Sequence, residues 1–163
     1  MDALDSKAIA ELMVNGRTTW AELAILLGLS GPAAADRVHR LEERGVIRGY
    51  AALIDPEAVG FGLTAFVAVT LERPEHRAPF LARVSDLAEV QECHHIAGDD
   101  DYLLKVRCRG ARDLDRVIST NLKDLPGVIR TRTTIVLDTC KETPTLPILT
   151  DPPSVGGSMA EKY

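Results

Sequence analysis

The sequence lacks the features that identify several classes of protein. Its three cysteines are odd in number and have no CxxC spacing, which argues against a disulfide framework and fits a reducing compartment. No apolar run is long enough to span a bilayer, and the N-terminus has no signal-peptide pattern. These absences predict a cytoplasmic protein without a membrane partner.

Basic charge is also scarce. The formal net charge is −5, and residues 1–60 hold six Lys and Arg against nine Asp and Glu. This balance argues against charge-driven attachment to nucleic acid. It leaves room for DNA binding through a locally basic face, with a multimer placing several heads on one DNA.

Groupings of residues that catalyse reactions are missing as well. The sequence has no nucleophile–base pair and no phosphate loop, so it predicts neither an enzyme nor a bound cofactor. Residues 92–95 (ECHH) and 99–101 (DDD) contain metal-ligating types, and Cys93 and His95 share a strand face. Without a second pair at zinc-like spacing, we expect no metal site.

The stretch from Trp20 to Tyr50 predicts two helices joined by a tight turn. Thr19 can cap the first helix, with Glu22 as its capping-box partner. Gly28 can leave that helix in a left-handed turn, and Ser30 can cap the second helix. This layout is typical of a helix-turn-helix, whose second helix lies in the DNA major groove.

The flanks of this stretch extend the interpretation. A strand predicted at Val46–Ile54 is typical of winged DNA-binding domains. A preceding helix, capped by Asp5 or Ser6, is expected to pack on the other two. The residues expected in this core are Ile9, Leu12, Met13, Leu23, Leu26, Leu27, Val38 and Leu41. Trp20 can pack under the turn or lie near the phosphate backbone, and packing is favoured.

The second helix carries a row of arginines. Arg37, Arg40 and Arg44 are spaced i, i+3 and i+7 and share a face, and Arg48 follows on the extended segment. Such a row is also common on solvated helices. The pattern alone therefore leaves DNA binding and a plain helical pair both open.

The second half of the chain alternates strands and helices. The predicted elements are a strand at 63–71, a helix at 76–88, strands at 90–97 and 102–108, a helix at 112–124 and a strand at 128–137. The order β-α-β-β-α-β predicts a ferredoxin-like domain in an α+β protein. Its helix-free sheet face carries apolar residues such as Phe66 and Ala68, so we expect a dimer through the sheets.

Four segments resemble the DNA-binding domain of the Lrp/AsnC family of transcriptional regulators. They are LDSKAIAELMVNGR (4–17), AELAILLGLS (21–30), DRVHRLEERGVIRGY (36–50) and the Asp55-Pro56 to Gly60 turn. The second half resembles the family's amino-acid-responsive domain through Gly98-Asp-Asp-Asp-Tyr102 and Pro126-Gly127-Val128. The resemblance implies double-stranded promoter DNA as partner, a small effector such as an amino acid, and a homodimer that assembles into a higher homo-oligomer.

The resemblance also implies site residues. The DNA-binding candidates are Thr19, Ser30, Ala33, Ala34, Asp36, Arg37, Arg40, Arg44 and Arg48. The recognition helix departs from the common family pattern, because Ala33–Ala35 offer few hydrogen bonds to base edges. Asp36 can accept from a cytosine amino group or pair with Arg40 at i+4, and the pair is favoured.

The family's effector site lies near the glycine turn and the last strand, at contacts between dimers. Carried over, the candidates are His95, Gly98, Asp99, Asp101, Tyr102, Thr134, Ile135 and Val136, with His94 close by. Asp99 or Asp101 can meet an ammonium group, and the glycine turn can present N–H groups to a carboxylate. From the residues alone, a merely polar hairpin turn would be preferred.

These observations lead to one main hypothesis and one alternative. The main hypothesis is an effector-modulated transcriptional regulator, and the alternative is a small-molecule-binding oligomer whose head serves protein interaction. The predicted divisions are a DNA-binding domain at 1–54, a linker at 55–62, an effector and oligomerisation domain at 63–142 and a Pro-rich tail at 143–163. In the tail, Leu146, Ile148 and Leu149 can contact a neighbouring subunit.

Overall fold

A computed structural model describes residues 1–148 of the chain. The chain divides into two compact units, residues 53–140 and residues 1–52 with the segment from residue 141. The tail beyond residue 148, including Leu149, lies outside the described residues. None of the helices in residues 1–148 has the length and apolar character that a bilayer crossing needs.

Three helices form the first unit: α1 (Ala3–Val14), α2 (Trp20–Leu27) and α3 (Gly31–Glu43). Asp2 caps α1 and forms a capping box with Asp5, so the predicted cap at Asp5 or Ser6 is wrong by one turn. The predicted capping box of Thr19 and Glu22 on α2 is confirmed.

The core of this unit lies where the three helices meet. Its buried members are Ala8, Leu23, Ala24, Leu27, Ala34 and Val38. Ile9 and Leu41 are also buried, as predicted. Leu26 is 48% exposed, because α2 turns Ala24 instead of Leu26 toward the other helices. Trp20 is 43% exposed and meets the ring of His39, so it is not packed under the turn.

The predicted strand at Val46–Ile54 does not form within this chain. The N–H groups of Val46 and Ile47 donate to the carbonyl oxygen of Leu41 instead, and the side chains of Val46, Tyr50, Leu53 and Ile54 are exposed. A strand needs a neighbour for its backbone N–H and C=O groups, and the four strands found within residues 1–148 form a sheet without this segment.

The second unit has the predicted β-α-β-β-α-β order. Its strands are β1 (Leu63–Leu71), β2 (Val90–His95), β3 (Tyr102–Cys108) and β4 (Val128–Ile135). They pair antiparallel in the order β2-β3-β1-β4. This is the ferredoxin-like arrangement expected from the sequence.

Two helices cover one face of the sheet. They are α4 (Arg77–Asp86), which follows a short 3₁₀ turn at Pro74–His76, and α5 (Ala111–Asp115), which continues as a π-helical segment at Arg116–Leu122. Phe80, Val84, Leu114, Val117 and Leu122 are buried against β1 and β3. The core therefore lies between the helices and this face.

The helix-free face is more polar than the sequence predicted. Phe66 is 37% exposed on it, and Ala68 is nearly buried. Their cross-strand neighbours on the same face are Lys105, Leu103, Thr134 and Arg132. The face therefore combines an apolar centre with long basic side chains.

Candidate DNA-binding face and effector pocket

The turn between α2 and α3 fixes how α3 is presented. Gly28 ends α2 in a left-handed conformation, with φ of 66°, which a residue with a side chain adopts only at a cost. The Ser30 hydroxyl accepts a hydrogen bond from the backbone N–H of Ala33 at 3.4 Å. Pro32 lies in the first turn of α3, where no N–H is needed. The helix thus begins with its amino end open to solvent.

The exposed face of α3 carries part of the predicted DNA-binding set. Ala33, Asp36, Arg40 and Arg44 are exposed. Arg40 pairs with Asp36 at 3.6 Å, so the favoured intrahelical pair is confirmed. An exposed pair of this spacing contributes only about 0.3–0.5 kcal/mol, so exchanging it for a phosphate contact costs little. Arg48 is exposed on the segment that follows α3.

One predicted DNA contact, Ala34, is buried, and another, Thr19, is exposed with its hydroxyl in a capping box. Ala34 has no exposed surface and packs in the core with Leu23 and Val38, so it cannot touch a base. Thr19 is occupied at the start of α2, where its hydroxyl donates to Glu22 at 2.7 Å. Ala33 and Ala34 are neighbours in sequence, but consecutive side chains of a helix point about 100° apart, so one is exposed and the other is buried.

Arg37 does not point outward with Arg40 and Arg44. Its side chain is 18% exposed, and one guanidinium nitrogen donates to Asp2 at 2.7 and 2.8 Å and to Asp5 at 2.5 Å. Hydrogen bonds to Asp2 and then to Asp5 raise the pKa of Arg37, so it stays charged. The predicted arginine row is therefore split between the interior of the head and its surface.

His39 lies on the outer surface of α3 and was missed by the sequence reasoning. Its side chain is 59% exposed, and its Nδ1 lies 3.1 Å from a carboxylate oxygen of Glu42. Its ring centroid is 5.8 Å from that of Trp20. His39 follows Asp36 by three residues, and this spacing was the sequence signal that could have placed it on the same exposed face.

In the second unit, one cavity of about 350 Å³ lies beside the glycine turn. Three predicted effector residues, His95, Asp101 and Tyr102, line it. The sequence reasoning missed the others that line it, which lie at the end of β1 and in the segment after it: Leu71, Glu72, Arg73, Pro74 and Arg77. They come from a segment far from the turn in sequence, and the pairing of β1 with β3 brings the two together.

Tyr102 has an unsatisfied hydroxyl in this cavity wall. The residue is 3% exposed, and its ring packs between Phe80 at 4.8 Å and His95 at 5.2 Å. Within the described residues, its buried hydroxyl has no hydrogen-bond partner. Buried hydroxyls are usually bonded, so this one lacks the partner that such a group ordinarily has.

The aspartates of the turn have separate roles. Asp101 accepts a hydrogen bond from the backbone N–H of Leu71 at 2.7 Å, which ties the turn to the end of β1. Asp99 is exposed, and its carbonyl oxygen accepts from Arg130 at 2.8 Å. Gly98 is exposed within the same turn.

Asp100 was not predicted as a site residue, yet of the three aspartates in the turn it is the one that is buried. Its side chain is 2% exposed and meets Arg130 at 3.1 Å, Arg132 at 2.7 Å and the hydroxyl of Thr70 at 2.9 Å. The hydrogen bond from Thr70, helped by the two arginines, lowers the pKa of Asp100. The turn is thus fastened to β4 through a charged carboxylate.

The remaining effector candidates lie far from the cavity within one chain. Tyr102 pairs with Val69 on β1, whereas Ile135 pairs with Ala65. Four residues of a strand separate these positions by about 14 Å. A single chain therefore does not join Thr134, Ile135 and Val136 to the turn.

Metal-ligating residue types near the turn do not converge. His94 bonds to Glu92 at 3.0 Å, whereas His95 faces the cavity. Across residues 1–148, no three His, Cys, Asp or Glu side chains are placed to hold a metal ion.

Family profiles match both units. Residues 1–42 match the AsnC-type helix-turn-helix domain, and residues 64–146 match the Lrp/AsnC ligand binding domain. The leucine-responsive regulatory protein of Haemophilus influenzae is 41% identical over 145 residues, covering 88% of this chain and 87% of the relative. The HTH-type transcriptional regulator LrpA of Mycobacterium tuberculosis is 43% identical over 139 residues, covering 85% and 91%.

Solved structures agree with this match. A transcriptional regulator of Neisseria meningitidis in complex with L-methionine superposes with a TM-score of 0.86 at 34% identity, covering 90% of this chain and 96% of that one. A feast or famine regulatory protein of M. tuberculosis complexed with L-methionine gives 0.80 at 40% identity, covering 89% and 97%.

A helix-turn-helix head joined to a ferredoxin-like unit defines a two-domain transcriptional regulator. With matches over both units and about 40% identity to curated regulators, the chain belongs to the Lrp/AsnC family. It is a DNA-binding transcriptional regulator of that type.

The buried carboxylate of Asp100 generates a prediction about stability and pH. We expect Asp100→Asn to lower the free energy of unfolding at pH 7, because it removes the charge that two arginines surround. The folded-state pKa lies below the usual 3.8, so this contribution is present above about pH 4 and is lost as pH falls through the folded-state pKa.

Denaturant unfolding of both proteins at pH 7 and pH 3 measures this difference, with the exposed Asp124→Asn as control. The stability gap should be wide at pH 7 and narrower at pH 3. An equal gap at both values would contradict the assignment.

Proposed function

We propose that the chain binds double-stranded promoter DNA through the outer face of α3. The observation that carries this is the α2–Gly28–α3 turn with Ala33, Asp36, Arg40 and Arg44 on the exposed side. Arg48 extends the basic surface beyond the helix. With three alanines at the start of the helix, sequence preference comes from a few side chains and DNA shape.

We further propose that the cavity beside the glycine turn binds a free amino acid. Arg73 and Arg77 supply cations for its carboxylate, and Glu72 supplies a carboxylate for its ammonium group. The unpartnered Tyr102 hydroxyl can donate to the same ligand. The L-methionine complexes of two relatives support this class of effector.

The helix-free sheet face and the unpaired segment 46–54 support a homodimer. Phe66 is 37% exposed at the apolar centre of that face, where Ala68 is buried, and segment 46–54 belongs to no strand among the described residues. A two-fold axis can pair both features with their own copies. The described tail side chains, Leu146 and Ile148, can add contacts between subunits.

Assembly of dimers completes the effector site in this proposal. Thr134, Ile135 and Val136 are exposed or half-buried at the far end of the sheet, so they reach the cavity only from another chain. The domain limits predicted from the sequence and a cytoplasmic location belong to the same proposal.

The DNA-binding face is tested through the salt dependence of binding. We expect Arg40→Ala to weaken binding to the DNA upstream of the protein's own gene. If Arg40 contacts a phosphate, the slope of log affinity against log salt should fall by about one. Arg112 is an exposed arginine of the other unit, and Arg112→Ala should leave the affinity and the salt slope unchanged. Unaltered affinity and slope for Arg40→Ala would contradict this face.

The effector pocket is tested by calorimetric titration of the protein with each of the twenty amino acids. For any that binds, Tyr102→Phe should weaken affinity about tenfold, because a hydrogen bond to the ligand is lost. The ligand-free variant should be as stable as the parent or more so, because the hydroxyl has no partner there. Tyr50→Phe in the head is the matched control. Equal affinities for the parent and Tyr102→Phe would remove Tyr102 from the site.

The dimer surface is tested by sedimentation velocity at several protein concentrations. Phe66→Lys should convert dimers to monomers at micromolar concentration, because a charge would be buried at the centre of the contact. Ile129→Lys, at an exposed position of the edge strand β4, should leave the dimer intact. If Phe66→Lys sediments as the parent does, the sheets do not form the contact.

A further inference from the structure

One arginine of the recognition helix is held by the first turn of α1. Arg37 lies beside the buried stripe of α3 formed by Ala34, Val38 and Leu41. Its side chain is 18% exposed, although arginines on a DNA-binding face are usually open to solvent. In this position, Arg37 packs against the rest of the head.

The two acceptors are acidic residues with fixed geometry. Asp2 and Asp5 bond to each other's backbone N–H groups at 2.8 and 2.9 Å in the capping box of α1. The Asp5 side chain is 11% exposed. Since the capping box already positions both carboxylates, Arg37 meets a preformed site for a cation.

The link connects parts of the sequence that are far apart. Asp2 and Asp5 are 35 and 32 residues from Arg37. All three bonds are made by one guanidinium nitrogen, and the Nε–H is buried without a partner among the described residues. The arrangement thus uses Arg37 as a point charge, unlike the bidentate geometry with which arginine reads guanine.

We propose that Arg37 is a positioning residue that, through Asp2 and Asp5, fixes the orientation of α3, so that specific DNA binding depends on two carboxylates. This inference rests on the proposed DNA-binding role of α3. It predicts that two acidic residues strengthen DNA binding, although their negative charge repels DNA. Removing a negative charge from a DNA-binding head ordinarily strengthens binding, whereas removing either of these should weaken it.

The test compares full-length variants on upstream intergenic DNA and on unrelated DNA over a range of salt concentrations. Asp5→Asn and Arg37→Gln should each lower specific affinity about tenfold, the scale of one lost hydrogen bond to a charged group. The affinity of the same variants for unrelated DNA should fall by a smaller factor. The salt slope should not change, because no phosphate contact is removed.

Two further variants complete the set. Glu43→Gln removes one exposed negative charge from the same helix and should leave affinity unchanged or raise it. Arg37→Lys keeps a point charge for the two carboxylates and should retain most of the affinity. The Asp5→Asn/Arg37→Gln double variant should lose no more than either single variant, because the partners act as a unit.

A measurement without DNA separates the inference from the proposed function. Backbone amides of α3 should exchange hydrogen faster in Asp5→Asn and Arg37→Gln than in the parent, and equally fast in the double variant. Should Asp5→Asn fail to fold, Asp2→Asn at the more exposed carboxylate takes its place. If the parent binds no DNA specifically, the proposed function fails, and hydrogen exchange alone decides the link.

Two outcomes would overturn the inference. One is that Asp5→Asn strengthens DNA binding as Glu43→Gln does. The other is that Arg37→Gln lowers the salt slope by about one while Asp5→Asn has no effect, which would make Arg37 a phosphate contact.

Discussion

A carboxylate removed from water must be met by donors, and each unit of this protein has one such carboxylate beside its proposed binding region. In the head, Asp5 is nearly buried and meets Arg37 of α3. Burial raises the pKa of Asp5, but hydrogen bonds from the Asp2 backbone and from Arg37 outweigh it and leave the pKa lowered. In the sheet, Asp100 meets Arg130 and Arg132 of β4. Both aspartates remain ionised at neutral pH, so each holds cationic side chains in place.

The sequence predicts what depends on local order. The capping box of α2, the Gly28 turn and the strand at 63–71 require only neighbouring residues, and the structure agrees on them. The fate of Arg37 could not be predicted in this way, because helical spacing places it with Arg40 and Arg44, and only α1 reveals the partner that turns it inward. Nor could spacing distinguish Asp100 from Asp99 and Asp101, because the arginines that bury it lie about 30 residues away.

The predicted effector set was divided for a similar reason. His95, Asp101 and Tyr102 line the cavity because β2 ends and β3 begins there. The segment after β1 that completes the wall gave no sequence signal. Thr134, Ile135 and Val136 were predicted from the family resemblance, which implies an effector site at contacts between dimers. A single chain cannot reproduce that geometry, because the pairing of β4 with β1 is fixed by seven register pairs.

The placement of these residues bears on how an effector could act. A ligand changes an equilibrium only by as much as its affinity differs between the two states. A cavity with its full set of contacts inside one chain, and with the same shape in monomers and assemblies, would bind ligand equally well in both and would shift nothing. If Thr134–Val136 of another chain complete the cavity, the ligand binds the assembly more tightly, and assembly must strengthen ligand binding by the same factor. Under the proposed function, the separation of the candidate effector residues between the two ends of one sheet would couple amino-acid concentration to the number of DNA-binding heads held together.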